Sequence, residues 1–343
     1  MSGMKKILVV NLAGLGDIVV SSPAVRALKA RLKDGELYLL TFKDNIELVE
    51  MCPYFREVFI FDKNLSLWNF KEILKIRRLG FDWAVNLYPI YSFMGSLKMV
   101  FLFYLMAPKK SAGRDTGRKG FFYHLRLPES SRFPNHNLET MLGLVGLLGA
   151  EVSSKQPELW LRPDEDAVQK FLRRNGFSQN DRIVCIHPGA GNKLRRWPAE
   201  NFSRFADNLI RKHGFKIVIT GNEKEKGLAE YVVSLMEEKN SVGIAAGVFS
   251  LDALAACLKK SVLFITNETG PMHIASTLGV STVIICGNTP TAFLPYRKEK
   301  TIILRKPFAG CSGGGFSRRD FDCLKSLSCE DVLSAAESLL NTA

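Results

Sequence analysis

The chain reads as an α/β protein made of two Rossmann-like domains, each with a mainly parallel sheet, facing a central cleft. Three observations predict this. Its 343 residues exceed what one ordinary core accommodates. Apolar strand-like runs alternate with amphipathic helix-like runs in both halves, the pattern of parallel βαβ units. Between the halves, residues 150–163 (AEVSSKQPELWLRP) lose periodicity and carry two prolines, which marks a linker. The expected boundaries are 1–160 for the first domain, 161–326 for the second and 327–343 for a closing helix.

In the first half, KKILVVN is a buried-strand signal, followed by a glycine-rich turn and the helical run IVVSSPAVRALKARL. ELYLLTF and VFIFD read as strands, NLSLWNFKEILKIRRLG as a helix ended by Gly80, and DWAVNL as a strand. SFMGSLKMVFLFYLMA reads as a buried helix, and its basic neighbourhood also suits contact with a membrane surface. NLETMLGLVGLLGA is a further helix.

The second half restarts with RIVCIHPG, a strand running into a turn. PAENFSRFADNLIRKHG aligns Phe202, Phe205, Ala206, Leu209 and Ile210 on one stripe between Pro198 and Gly214. KIVITG is a strand, and Leu228, Tyr231, Val232, Leu235 and Met236 form a second stripe. SLDALAACLKK is a helix, then VLFITN, PMHIASTLGV and STVIICG give strand, helix and strand. SCEDVLSAAESLLN closes the chain as a helix, with Ser328 and Asp331 at capping-box spacing.

Composition narrows the classes. Hydrophobic residues make up 46% and charged residues 24%, an ordinary globular balance. Net charge is +13, and residues 71–126 alone hold eleven Lys and Arg against three Asp and Glu, or +8. Such a field favours anionic ligands or anionic membrane surfaces. The apolar stretch at 99–107, MVFLFYLMA, is too short to cross a bilayer. Asn11 and Asp17 interrupt the apolar start too early for a secretory leader. Seven cysteines, an odd count without framework spacing, point to reduced thiols and a cytoplasmic setting.

Ligands of parallel α/β folds sit where strand carboxyl ends meet helix amino ends. VVNLAGLGDIVVSSPAV offers Gly14 and Gly16 for close backbone approach, but Val19 stands where a dinucleotide fingerprint has its third glycine. Asp17 at that helix start reads either as a cap for free amides or as a carboxylate presented to a ligand. In HPGAGNKLRRWPAENF, Gly189 and Ala190 expose backbone amides, and Lys193 and Arg195 are placed to clamp phosphate oxygens. No P-loop pattern occurs. Glu225, with Glu223 as substitute, suits a ribose diol. In TNETGPMHIAS, Thr269, Gly270 and Pro271 lead into a helix and suit a diphosphate, while Glu268 suits sugar hydroxyls. His273 falls inside that helix, where structural and catalytic roles both stay open. Cys311, Cys323 and Cys329 lack zinc-site spacing, and Asp164/Asp166 and Asp320/Asp322 do not follow strands, so no metal is expected.

Together, ILVVNLAGLGDIVVSSPAVRALK, HPGAGNKLRRWPAENF, TNETGPMHIASTLGVSTVIICG and the tail CLKSLSCEDVL resemble glycosyltransferase family 9, the ADP-heptose:lipopolysaccharide heptosyltransferases. The resemblance implies a GT-B fold whose last helix crosses back to the first domain. It implies inverting, metal-independent and cofactor-free transfer of heptose from an ADP-sugar donor to the lipopolysaccharide inner core. It implies that Asp17 is the general base, that Arg195 holds a diphosphate position often filled by lysine, that Glu225 binds ribose, and that Thr269 and Gly270 form the diphosphate turn. The acceptor is then an anionic lipid-linked glycan, met by Gly14, Gly16, Lys109, Lys110, Arg114 and Arg118 at the cytoplasmic face of the inner membrane. No nucleic-acid partner is expected. Two features depart from the family pattern: Glu268 replaces a usual Asp, and GNTPTAFLPY (287–296) replaces a Gly-Pro-Thr-Asp run. The same fold with another donor or acceptor is the nearest alternative. A nicotinamide-dependent oxidoreductase and a noncatalytic polyanion binder are more distant ones.

Overall fold

The computed structural model of the chain describes residues 5–63, 67–130, 135–287, 289–306 and 323–341. It divides into two units at Trp160/Leu161. In the first, β1 (Lys6–Asn11), β2 (Glu36–Phe42), β3 (Phe55–Phe61), β4 (Trp83–Asn86), β5 (Lys110–Thr116) and β6 (Leu125–Glu129) pair in the order β3-β2-β1-β4-β5-β6, every pair parallel. The second repeats that winding. Its strands β7 (Ile183–His187), β8 (Lys216–Ile219), β9 (Val242–Ile244), β10 (Leu263–Asn267), β11 (Thr282–Ile285) and β12 (Thr301–Leu304) run β12-β11-β10-β7-β8-β9, again all parallel. In this order the winding direction reverses between β1 and β4, and between β7 and β10. Those two crevices are where the fold places ligands.

Continuous apolar runs form the central strands because helices cover both faces of a parallel sheet. Residues Ile7 to Val10 and Val184 to Ile186 accordingly have no accessible surface. Helix α1 (Leu15–Leu32) carries Pro23 in its body, which removes the amide that would bond the Val19 carbonyl. The Ser22 hydroxyl donates to that carbonyl instead, at 2.7 Å. The remaining helices of the first unit are the short α2 (Ile46–Val49), α3 (Leu67–Leu79), α4 (Phe93–Met106) and α5 (Asn137–Leu147). The second unit adds α6 (Glu165–Arg174), α7 (Ala199–His213), α8 (Lys226–Ser234), α9 (Leu251–Lys260), α10 (Gly270–Leu278) and α11 (Cys329–Asn341). Gly214 ends α7 in the left-handed region, at φ 66°.

The structure departs from the sequence reading in three respects. Residues 110–116 and 125–129, for which the sequence pattern predicts no element, are strands β5 and β6; β9 and β12 are likewise unpredicted by it. The closing helix α11, expected on the first domain, is part of the second unit's core. Val332, Ala335, Ala336 and Leu339 pack among Phe205, Leu209, Ile265 and Val283, and the Trp197 indole donates to the Leu327 carbonyl at 2.9 Å. Its apolar stripe matches the face of the sheet that precedes it, so burial is satisfied locally. Finally, Cys323 is disulfide-bonded, so the thiols are not all reduced. An odd cysteine count does not exclude one bridge. Cys52, Cys185, Cys257, Cys286 and Cys329 are free and buried. Cys311, Asp320 and Asp322 lie outside the described residues.

Candidate functional site

In the first unit β1 ends at Asn11, and Gly14 opens α1 with extended backbone at φ −77° and ψ 171°. The Gly14 carbonyl accepts from the amides of Asp17 and Ile18 at 3.1 and 3.3 Å. Asp17 therefore stands one turn into the helix and does not cap it, which removes the cap reading. Gly16 is buried within the helix and Gly14 is exposed. The half-buried Asp17 carboxylate lies at the positive end of the helix dipole.

Asp17 is held from behind. The Asn137 side chain donates to its Oδ1 at 3.4 Å, a long hydrogen bond. Asn137 is buried at the start of α5, and its Oδ1 accepts from both terminal nitrogens of Arg114 at 3.1 Å. Arg114 in turn grips Glu129 with two bonds, of 2.6 Å from Nη2 and 3.0 Å from Nε. The Thr116 hydroxyl adds a 2.8 Å bond to Glu129. A polar chain thus runs from Glu129 through Arg114 and Asn137 to Asp17.

This geometry revises the expected acceptor-binding cations. Arg114 has no accessible surface and is committed to Glu129, so it cannot meet a ligand directly. Lys109 and Lys110 stand at the start of β5, on the amino-terminal edge of a parallel sheet whose ligand edge is the opposite one. Lys109 pairs with Asp82 at 2.8 Å, and the Lys110 ammonium lies 5.6 Å from the centre of the Trp83 ring. Of the four, Arg118 alone follows the carboxyl end of β5, exposed in a turn at φ 63°.

The second unit gathers its candidates around β7 and β10. After His187 the chain turns through Pro188 to Gly191 into a 3-10 turn, Lys193–Arg195, and then α7. Asn267, the last residue of β10, anchors this loop: its amide donates to the Pro188 carbonyl at 2.8 Å and its oxygen accepts from the Trp197 amide at 2.9 Å. The Arg196 guanidinium closes the loop on the Ala190 carbonyl, at 2.9 and 3.2 Å. Arg195 reaches Glu268 at 3.1 Å, and the other Glu268 oxygen accepts from the Thr289 hydroxyl.

Glu225 lies on the other side of the loop. It is buried, accepts the Asn222 amide at 3.0 Å, and approaches His187 Nε2 at 3.7 Å. Burial lowers the His187 pKa, opposed by the Glu225 charge. Gly189 faces this carboxylate so closely that a Cβ there would sit 2.1 Å from Glu225 Oε1. Only glycine fits. Thr269 is extended, at φ −155° and ψ 168°, and hands over to α10, whose first residue Gly270 leaves its backbone amide at the helix start, while Pro271 has no N–H to offer. His273 is buried in the body of α10 and does not stand at that turn. The loop carrying Lys193, Arg195 and Ala190, the carboxylates Glu225 and Glu268, and the start of α10 therefore cluster at the β7/β10 crevice.

Sequence reasoning missed Asn137, Glu129 and Asn267, each of which ties together segments apart in the chain. Arg196, read with Lys193 and Arg195 as a phosphate clamp, instead closes its own loop on Ala190. A groove of about 490 Å³ lined by Asn208, Arg211, Lys212, Glu330 and Glu337 shares no residue with either cluster.

Comparison with known proteins gives the family and the fold. The sequence profile of glycosyltransferase family 9 (heptosyltransferase) matches residues 75–311. A lipooligosaccharide heptosyltransferase 2 of Campylobacter jejuni is 25% identical over 95% of both chains. Among solved structures, a family 9 glycosyl transferase from Veillonella parvula superposes with a TM-score of 0.78, at 23% identity over 99% of this chain and 98% of the other. The Escherichia coli ADP-heptose lps heptosyltransferase II gives 0.75, at 19% identity over 98% and 99%. These structural likenesses carry the GT-B fold, and the profile match carries the kinship. An α/β chain with two Rossmann-like sheets, a glycine-backed carboxylate and an arginine-bearing loop at one crevice, and that match over more than half its length, belongs to glycosyltransferase family 9.

Proposed function

We propose that this glycosyltransferase moves a heptose from ADP-heptose to the lipopolysaccharide inner core, onto Kdo-lipid A or a heptosyl acceptor, with inversion at the anomeric carbon. The observation that carries the donor half is the convergence at the β7/β10 crevice. Arg195 offers positive charge, the start of α10 offers the Gly270 amide, and Glu225 offers a carboxylate packed against Gly189. In the proposal, Glu225 takes the ribose hydroxyls, while Arg195 and the 269–271 turn take the diphosphate. Lys193, Ala190 and Glu268 complete the donor pocket.

The acceptor half belongs to the first unit. The acceptor hydroxyl attacks the anomeric carbon from the face opposite ADP; the new C–O bond forms as the bond to the diphosphate oxygen breaks. The bonding pair leaves with ADP, and the hydroxyl proton passes to Asp17. Charge growing on the departing diphosphate is met by Arg195 and the Gly270 amide. Arg114 and Asn137 keep the Asp17 carboxylate aimed without touching substrate. Arg118 and Gly14 lie at the same edge and would meet the acceptor. The enzyme works in the cytoplasm, at the inner membrane face where a lipid-linked acceptor resides.

Asp17→Asn tests the mechanism. Transfer should fall by roughly 10²- to 10⁴-fold, the span of general-base catalysis. ADP affinity by calorimetry should be unchanged, because no donor contact is removed. Wild-type turnover in this variant would remove Asp17 from the mechanism.

A further inference from the structure

Helix α4 is apolar on both of its faces. One, with Leu102, Phe103 and Met106, is sunk into the first unit's core beside Ile73 and Ile76 of α3. The opposite face carries Phe93, Leu97, Phe101 and Tyr104 at successive turns, with Met94 alongside. Phe93, Phe101 and Tyr104 are 66%, 62% and 74% exposed. A helix on a water-soluble surface normally shows polar residues there, and an apolar patch rimmed by charge marks an interaction surface.

The rim is basic. Lys98 is exposed on α4; Lys71, Arg77 and Arg78 are exposed on the neighbouring α3, where Lys75 is paired with Glu57 of β3. Arg77 lies directly against α4, donating to the Leu105 carbonyl at 3.2 Å. From Trp83 to Arg114 the sequence contains no Asp or Glu. At 14 residues α4 is too short to span a bilayer.

We propose that this face of α4 seats the protein on the surface of an anionic lipid bilayer. The aromatic side chains enter the boundary between headgroups and acyl chains, and the cations of α3 and α4 pair with lipid phosphates. Charge complementarity selects this occupant over a second copy of the chain. A self-paired interface would set one cationic surface against another on a molecule of net charge +13. The seat also has a useful orientation. Helix α4 begins at Phe93, seven positions beyond Asn86 at the carboxyl end of β4. The ligand edge of the first sheet thus adjoins the lipid-facing helix end. The inference stands on α4 and does not require the heptosyl reading.

Co-sedimentation of the full chain with phosphatidylcholine vesicles, with and without phosphatidylglycerol, tests it. Binding should require phosphatidylglycerol and weaken as sodium chloride is raised. The triple variant Phe93→Ser, Phe101→Ser, Tyr104→Ser removes only exposed side chains and should bind at least about tenfold more weakly. Val248→Ser, at an equally exposed apolar site in the second unit, should bind like wild type. Calorimetric ADP binding by the same variants separates loss of docking from loss of the donor site. Wild-type partitioning by the triple variant would overturn the proposal. So would equal binding to neutral vesicles, or a dimer in analytical centrifugation that the same substitutions dissolve.

Discussion

Arg114 and Glu129 form a two-bond ion pair with side chains 0% and 3% exposed. Burying charge is costly unless both partners are matched, and removing one leaves the other stranded. Arg114→Met should therefore lower unfolding free energy by about 3–5 kcal/mol in urea titrations. Arg114→Met combined with Glu129→Leu should regain most of that loss, since no lone charge stays buried. Activity should separate from stability in the double variant. Asn137 loses the two donors that orient it, so kcat should stay low while the donor KM keeps its wild-type value. Full recovery of kcat along with stability would mean that the pair serves the fold alone. None of this is readable in GRDTG, where Arg114 looks like one more surface cation. Its partner lies 15 residues on, and its effect on Asp17 passes through a residue 120 positions from that carboxylate.

Among elements, the starts of β1, β4 and β5 are joined by one carboxylate. Asp82, just before β4, accepts the amides of Lys5 and Lys6 at 2.9 and 3.0 Å and the Lys109 ammonium at 2.8 Å. The Lys109 hydrogen bond, reinforced by the two amides, holds its carboxyl at about 2, below the ordinary 3.8. Because the folded-state value is depressed, its stabilising contribution is complete above pH 3.8 and is lost as pH falls through about 2. Asp82→Asn should thus be less stable than wild type at pH 6, and the gap should close as pH approaches 2 in denaturant titrations. A gap independent of pH would assign the effect to lost amide contacts rather than to charge. The same elements show why β5 escaped notice. KSAGRDT has none of the aliphatic β-branched or aromatic residues that announce a strand; Gly113 is required there because a Cβ would lie 2.2 Å from the Tyr123 ring. Pairing with β4 and β6, not local propensity, makes it a strand.

For the whole molecule, the +13 charge acts beyond any single contact. A cationic surface accelerates encounter with an anionic acceptor, and salt screens that field. Raising ionic strength from roughly 20 to 300 mM should lower acceptor kcat/KM about tenfold while kcat at saturation holds. An unchanged kcat/KM would confine the charge to a solubility role. Lys109 and Lys110 contribute to this field at long range only, since they stand at the edge opposite the ligand crevice.

By itself the sequence determined the two-unit α/β architecture, because parallel strands covered on both faces demand unbroken apolar runs and helices demand apolar stripes. It also marked the turns after β1, β7 and β10 that carry Asp17, Arg195 and Glu268, because glycines and charged residues there interrupt the apolar runs. Tertiary structure alone decided which charges meet solvent. Arg114 joined the interior through Glu129, Asn267 fastened the arginine-bearing loop from another strand, and α11 found its apolar partner within its own unit. Those outcomes depend on which distant segments pack together, and burial, unlike periodicity, leaves no mark within a short stretch of chain.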